Sequence, residues 1–273
     1  LSLPPFQTML SMGAAFFPAP VAPTDPPVRQ CAVSADLTVL PRRSNADAIT
    51  RVLRETDPGG GTPTFAVLDL VRRYYAANPD RARSRSLVLA TDGGPNCNLE
   101  LDQRTCVCTS RDEMGAATCP MHPQSFNCLD DVRTLAALRA SASAGIPTYV
   151  IGIDDPTRAD LTNVLDRMAI AGGRPAMTGA TRYYSVRRPE DLASAFATIQ
   201  RDIAQCAFVT PSRPDDPDAI TVEVSGAVIP RDLTRTRGWD WTNREFGELT
   251  FFGSACTRAA AAPGGVSARV GCD

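Results

Sequence analysis

Two short segments of this chain carry hard oxygen donors at positions where a folded backbone would expose them. In Gly59-Gly60-Gly61-Thr62-Pro63-Thr64, the glycines let the main chain turn tightly ahead of a helix, which leaves the Thr62 hydroxyl accessible. In Thr91-Asp92-Gly93, Asp92 offers a carboxylate at the end of a continuously apolar run, Ser86-Leu87-Val88-Leu89-Ala90. A hydroxyl and a carboxylate suit Mg2+, or Ca2+ or Mn2+, in an octahedral oxygen shell completed by water, and suit Zn2+ poorly. Each segment also has a plain reading, since glycines before a helix are common and Asp-Gly after a strand is most often a turn. The chemistry depends on whether the fold brings both to one edge.

A second constellation is the cysteines. There are nine, and five of them fall between Cys97 and Cys128. That density points to disulfides and an oxidising compartment. Cys106-Val107-Cys108 and Cys119-Pro120-Met121-His122 also allow a zinc knuckle, but their spacing fits no regular finger. Pairing of Cys97 with Cys128 would close the base of this segment, and Cys31 is either the unpaired thiol or a partner for the segment. His122 is the only histidine, so a Ser-His-Asp or Cys-His arrangement would have to run through a cysteine-dense loop. The chain has no lysine, which rules out a phosphate-binding G-x-x-x-x-G-K loop, and it has no G-x-S-x-G elbow. The expectation is a protein that is not an enzyme.

Charge narrows the partners. The chain has 273 residues, with 28 basic residues, every one arginine, against 30 acidic ones. No strongly basic stretch exists to neutralise phosphates, so nucleic acid is not an expected partner. No apolar run approaches the roughly 20 residues that span a bilayer. A chain that opens at Leu1 reads as a fragment, with any leader or anchor upstream. Asp154 and Asp155 are read as a solvated turn or as part of a partner surface, Arg81, Arg83 and Arg85 as a solvated stretch, and Trp239 and Trp241 as a core or interface anchor or a sugar-stacking platform.

The elements that must position these groups follow from periodicity. Strands are expected at residues 13–17, 37–40, 86–90, 147–153 and 183–186. Helices are expected after Ser44, over 64–77 and 129–144, around Leu161 to Ala169, and from Pro189 through Ile203. Val67, Leu68, Val71, Tyr74 and Tyr75 give the 64–77 helix its buried face. Continuous apolar strands alternating with amphipathic helices specify an α/β fold, an open, mostly parallel, doubly wound sheet flanked by helices. Residues 94–128 have no periodicity and form an insertion. Beyond Cys206 the pattern changes to short alternating strands with no helical stripe, so the expected organisation is an α/β domain over 1–206 and a small β-rich module over 207–273.

In combination and in this order, Gly60-Gly61-Thr62-Pro63-Thr64 and Leu89-Ala90-Thr91-Asp92-Gly93 resemble the metal-ion-dependent adhesion site of the von Willebrand factor A family, over roughly residues 10–205. The arginine-for-lysine bias fits such proteins from high-GC bacteria. The resemblance implies a Rossmann-like sheet, Thr62 and Asp92 as metal ligands, and Thr64 as support for the loop. It also implies a protein ligand whose carboxylate completes the coordination of the cation, in a secreted or surface protein. The family's Asp-x-Ser-x-Ser segment and the central strand before it do not occur here. The expected consequences are a missing sheet neighbour and weak metal binding. The rival reading is a structural scaffold of an extracellular or envelope protein with a vestigial metal site.

Overall fold

The run Thr148–Ile153 is apolar on both faces, and it forms the centre of a parallel sheet. The structure is a computed structural model. It describes residues 10–270 apart from 23, 58, 80–84, 113, 120–124, 154–157, 177, 211–215, 217, 245–246 and 263. In chain order the N-terminal elements are β1 (Met12–Ala14), α1 (Pro27–Gln30), β2 (Val39–Arg42), α2 (Ala46–Glu55), α3 (Thr64–Ala77) and β3 (Leu87–Thr91). They are followed by α4 (Asp131–Ser143), β4 (Thr148–Ile153), α5 (Ala159–Ala171), β5 (Tyr184–Val186) and α6 (Pro189–Gln205). Strand β4 lies between β3 and β5 and is parallel to both, with Leu89 opposite Val150 and Ile151 opposite Tyr184.

Alternate side chains of β4 serve opposite layers, as the period of a strand requires. Val150 joins Leu89 in a cluster with Leu68 of α3, Leu135 and Leu138 of α4, and Val164, Leu165 and Met168 of α5. Tyr149 and Ile151 meet Ala195 and Ile199 of α6 on the other face. Gly152 lets these layers approach, because a Cβ there would lie 2.6 Å from Leu165 Cδ1 and 2.8 Å from the Tyr183 ring.

The expected large doubly wound sheet is not what forms. Among the described residues there are four small sheets and only one is parallel, the three-stranded β3-β4-β5. Strands β1 and β2 pair antiparallel with each other, Met12 opposite Arg42 and Ala14 opposite Val39, and stay apart from the parallel sheet. The reason lies in their composition. Pro41 of β2 removes a ladder donor, and Leu40 is 60% exposed, so this pair lacks the two buried faces of an interior strand. The apolar run at 13–17 contributes only its first residues to a strand. On the far side, β3 has β4 as its only strand partner among the described residues, and Val88 is 40% exposed.

Beyond α6 come β6 (Ala207–Val209), β7 (Ile220–Val224), β8 (Ala227–Ile229), β9 (Trp239–Asn243), β10 (Glu248–Phe251), α7 (Ser254–Ala261) and β11 (Val266–Val270). They make two antiparallel sheets, β6-β10-β9 and β11-β7-β8, around a separate apolar cluster. Trp239 and Trp241 are both buried in that cluster, edge to face at 5.5 Å, and the Trp239 indole N–H donates to the Ile229 carbonyl at 2.9 Å. They are core residues and not a stacking platform. Helix α7 is an addition to the expected β-rich module, where no helical stripe was expected. The pattern there predicts strands and turns, yet Ala255, Cys256 and Ala259 bury one narrow face of a helix.

Disulfides tie the chain together at four places among the described residues: Cys31–Cys97, Cys106–Cys128, Cys108–Cys119 and Cys206–Cys256. Cys97 therefore pairs with Cys31 and not with Cys128. No helix of the described residues is long and apolar enough to cross a membrane.

Candidate functional site

The loop before α3 owes its shape to close packing. Gly60 has φ +78°, a conformation that favours glycine, and a Cβ on it would meet the Gln30 carbonyl oxygen at 2.8 Å. The Gly61 N–H donates to that same carbonyl at 2.9 Å. A Cβ on Gly61 would lie 2.5 Å from the Cys97 sulfur and 3.3 Å from that of Cys31, so the loop rests directly on the Cys31–Cys97 disulfide. Thr62 is then gripped at both ends of its peptide. Its N–H donates to the Asn96 side-chain oxygen at 2.6 Å, and its carbonyl accepts the Asn96 N–H at 2.9 Å. Thr64 is fully buried, and its N–H bonds the same Thr62 carbonyl at 2.7 Å.

Asp92 arrives from the other direction. Parallel strands deliver their carboxyl ends to one edge, and there the Thr91 hydroxyl donates to the Gly93 carbonyl at 3.0 Å, closing a turn around Asp92. The structure brings the two sequence-derived residues together: Thr62 and Asp92 line one cavity of about 320 Å3. Asn96, Thr109, Ser110, Ile153 and Arg158 line it as well. The lining is mostly polar, and Asp92 and Arg158 are its charged members among the described residues.

The insertion at 94–128 forms one wall of this cavity. Asp130, 2% exposed, anchors its base by accepting from the Asn98 side chain at 3.0 Å and pairing with Arg133 at 2.8 Å. Asn96 links the wall to the glycine loop, since its side-chain NH2 donates to the Thr109 hydroxyl at 3.0 Å. Thr109 is held further by its N–H and hydroxyl, which donate to the Asn127 carbonyl at 2.9 and 2.8 Å. Arg158, at the start of α5, donates to the carbonyls of Thr109 at 2.9 Å and Cys108 at 3.2 Å.

Whether these residues fit a hard cation depends on which oxygens are unspent. Among the described residues, the Thr62 hydroxyl, the Asp92 carboxylate and the Ser110 hydroxyl make no hydrogen bond to protein, although all three line the cavity. Oxygens without protein partners suit Mg2+, Ca2+ or Mn2+, so the donor set fits such an ion in kind. It is short in number, because an octahedral shell needs about six oxygens. Arg158 adds a positive charge that opposes a cation.

The sulfurs of Cys106, Cys119 and Cys128 lie within 4.8 Å of one another, which could pass for a metal triad. All three belong to the neighbouring disulfides Cys106–Cys128 and Cys108–Cys119, and a disulfide sulfur is not a thiolate ligand. His122, Asp154, Asp155, Arg81 and Arg83 lie outside the described residues. Arg85 stacks over the Tyr75 ring at 5.0 Å.

Sequence reading missed Asn96, Ser110 and Arg158. Single polar residues in an aperiodic loop have no spacing to reveal them. Only the cysteine density of the insertion signalled that its backbone would be fixed. No protein-family model matches this chain, nor does any curated protein or solved structure.

Proposed function

We propose that this protein is a non-enzymatic binding module. In this reading Thr62 and Asp92 hold Mg2+, or Ca2+ or Mn2+, and the cation offers an open coordination position to a carboxylate of a protein ligand. The observation that carries the reading is the meeting of Thr62 and Asp92, distant in sequence, in one polar cavity with both side-chain oxygens unspent. The resemblance of their two loops to the von Willebrand factor A adhesion site supports it. A bound cation together with Arg158 would make the cavity attractive to an incoming carboxylate. The disulfides fit an oxidising setting, and within that setting we assign the protein to the extracellular space, the cell surface or the periplasm.

The shortage of ligands sets the expected affinity. Titration of the full chain with Mn2+ in a calorimeter should give a Kd on the order of 10^-4 to 10^-3 M, the range of weakly charged extracellular sites. Asp92→Ala should abolish it. Absence of Mn2+ binding, or binding indifferent to Asp92→Ala, would overturn the reading.

A second reading, a structural scaffold with a vestigial site, is favoured by one observation. Three disulfides brace the segments that line the cavity: Cys31–Cys97 lies against Gly61, and Cys106–Cys128 and Cys108–Cys119 hold the insertion that carries Thr109 and Ser110. Under that reading, partner binding would ignore EDTA.

A further inference from the structure

The geometry points to Ser110 as a third oxygen ligand of the cation, so that the insertion contributes directly to the metal site. The inference rests on the proposed cation site at Thr62 and Asp92, and it adds a ligand for which neither the spacing of the two motifs nor the resemblance gives a reason.

Three observations converge on Ser110. First, it lines the same cavity as Thr62 and Asp92, and its hydroxyl makes no hydrogen bond among the described residues. Apart from that of Thr62, the other hydroxyls of the lining and the Asn96 carboxamide are committed. Asn96 bonds Thr62 and Thr109, Thr109 bonds Asn127, Asn127 has a partner, and the Thr162 hydroxyl donates to the Arg158 carbonyl at 3.4 Å.

Second, its chain neighbour Thr109 is tied to the Thr62 loop through Asn96. One carboxamide, that of Asn96, spans from the Thr62 N–H at 2.6 Å to the Thr109 hydroxyl at 3.0 Å, and Ser110 is the next residue. Third, its backbone is immobilised on both sides while its side chain is left alone. Arg158 and Asn127 hold Thr109, and the Ser110 carbonyl accepts the Thr118 N–H at 3.3 Å. The disulfides Cys108–Cys119 and Cys106–Cys128 lock the same stretch covalently. A held backbone at a cavity-lining residue with an unspent hydroxyl, in a cavity that also has a carboxylate, is an arrangement that a hard cation can recruit.

The test is Mn2+ titration of the full chain and of the variants Ser110→Ala, Ser110→Asp, Thr62→Ala and Asp92→Ala, each checked for an unchanged thermal midpoint. Because the Ser110 hydroxyl holds nothing else, Ser110→Ala should leave the midpoint unchanged and weaken Mn2+ about tenfold, as expected for one neutral oxygen ligand. Ser110→Asp adds a carboxylate and should tighten Mn2+ by about tenfold or more, since affinity at such sites follows ligand charge. If Thr62→Ala and Asp92→Ala weaken binding while both Ser110 variants match the unaltered chain, the Ser110 assignment falls and the cation site stands. If the unaltered chain binds no Mn2+, or Asp92→Ala has no effect, the cation site itself falls and Ser110 with it.

Discussion

Replacing both Cys31 and Cys97 with alanine should weaken the fold and the site together, and the sequence separation sets the scale of the first effect. The bridge closes a span of 66 residues. In the chain-entropy account, opening a loop of that size returns about 4 kcal/mol of entropy to the unfolded state, against about 3 kcal/mol for the Cys108–Cys119 bridge of separation 11. Residual denatured-state structure makes these upper values. The Cys108–Cys119 loop is also nested inside Cys106–Cys128, so losing it alone frees less chain. The double alanine variant at 31 and 97 should therefore lose about 3–4 kcal/mol in urea unfolding, clearly more than the variant at 108 and 119. It should also lose Mn2+ affinity, because Gly61 rests on the two sulfurs and Thr62 follows it directly. A loss under about 1 kcal/mol would refute the loop-closure reasoning. A full stability loss with unchanged Mn2+ affinity would refute the claim that this bridge positions Thr62.

Asn96→Ala should cost about 2–3 kcal/mol in the same unfolding experiment, because it strips an acceptor from the Thr62 N–H and a donor from the Thr109 hydroxyl at a residue 7% exposed. A cost below about 0.5 kcal/mol would mean that water replaces the carboxamide. At the other end of β4, burial, partly offset by Arg174 and reinforced by Asp202, pushes the Tyr149 hydroxyl up to about 12. The folded state thus holds this proton more tightly than the unfolded chain does. The stability it contributes is fully present below about pH 10, the unfolded value, and is lost as pH rises through about 12. Tyr149→Phe should flatten the alkaline limb of a stability-against-pH curve, and an unchanged limb would sink the assignment.

Much of the local structure was legible because its signals are short in range. The stripe Val67, Leu68, Val71, Tyr74 and Tyr75 predicts a helix over 64–77, and α3 spans Thr64–Ala77. The apolar run Pro147 to Ile153 predicts a covered parallel strand, and β4 is that strand. Sheet size was not legible. Periodicity says that a segment can be a strand but not which strand it pairs with, and β1 and β2 paired with each other in a short antiparallel ladder. Cysteine pairing was illegible for a similar reason: five cysteines within 97–128 give no unique solution without the path of the chain. Helix α7 escaped because Ser254–Ala261 is rich in alanine, which favours a helix without drawing a wide apolar stripe.

The site divides along the same line. Asp92 and Ile153 follow or end neighbouring parallel strands and so reach one edge, a consequence of topology that a strand-helix pattern carries. Thr62 joins them through the loop ahead of α3. The opposite wall has no such rule. It depends on Cys97 leaving the expected Cys128 for Cys31, which ties the start of the insertion to the chain beneath the glycine loop. Had Cys97 paired with Cys128, the insertion would be a closed appendage on its own stalk, free to tilt relative to Thr62. With the observed pairing, Cys31, Gly61, Thr62, Asn96 and Thr109 form one continuous chain of contacts. The insertion can therefore move relative to the Thr62 loop only by breaking a covalent bond or the Asn96 bonds, and this coupling is why substitutions in the insertion should register in cation affinity.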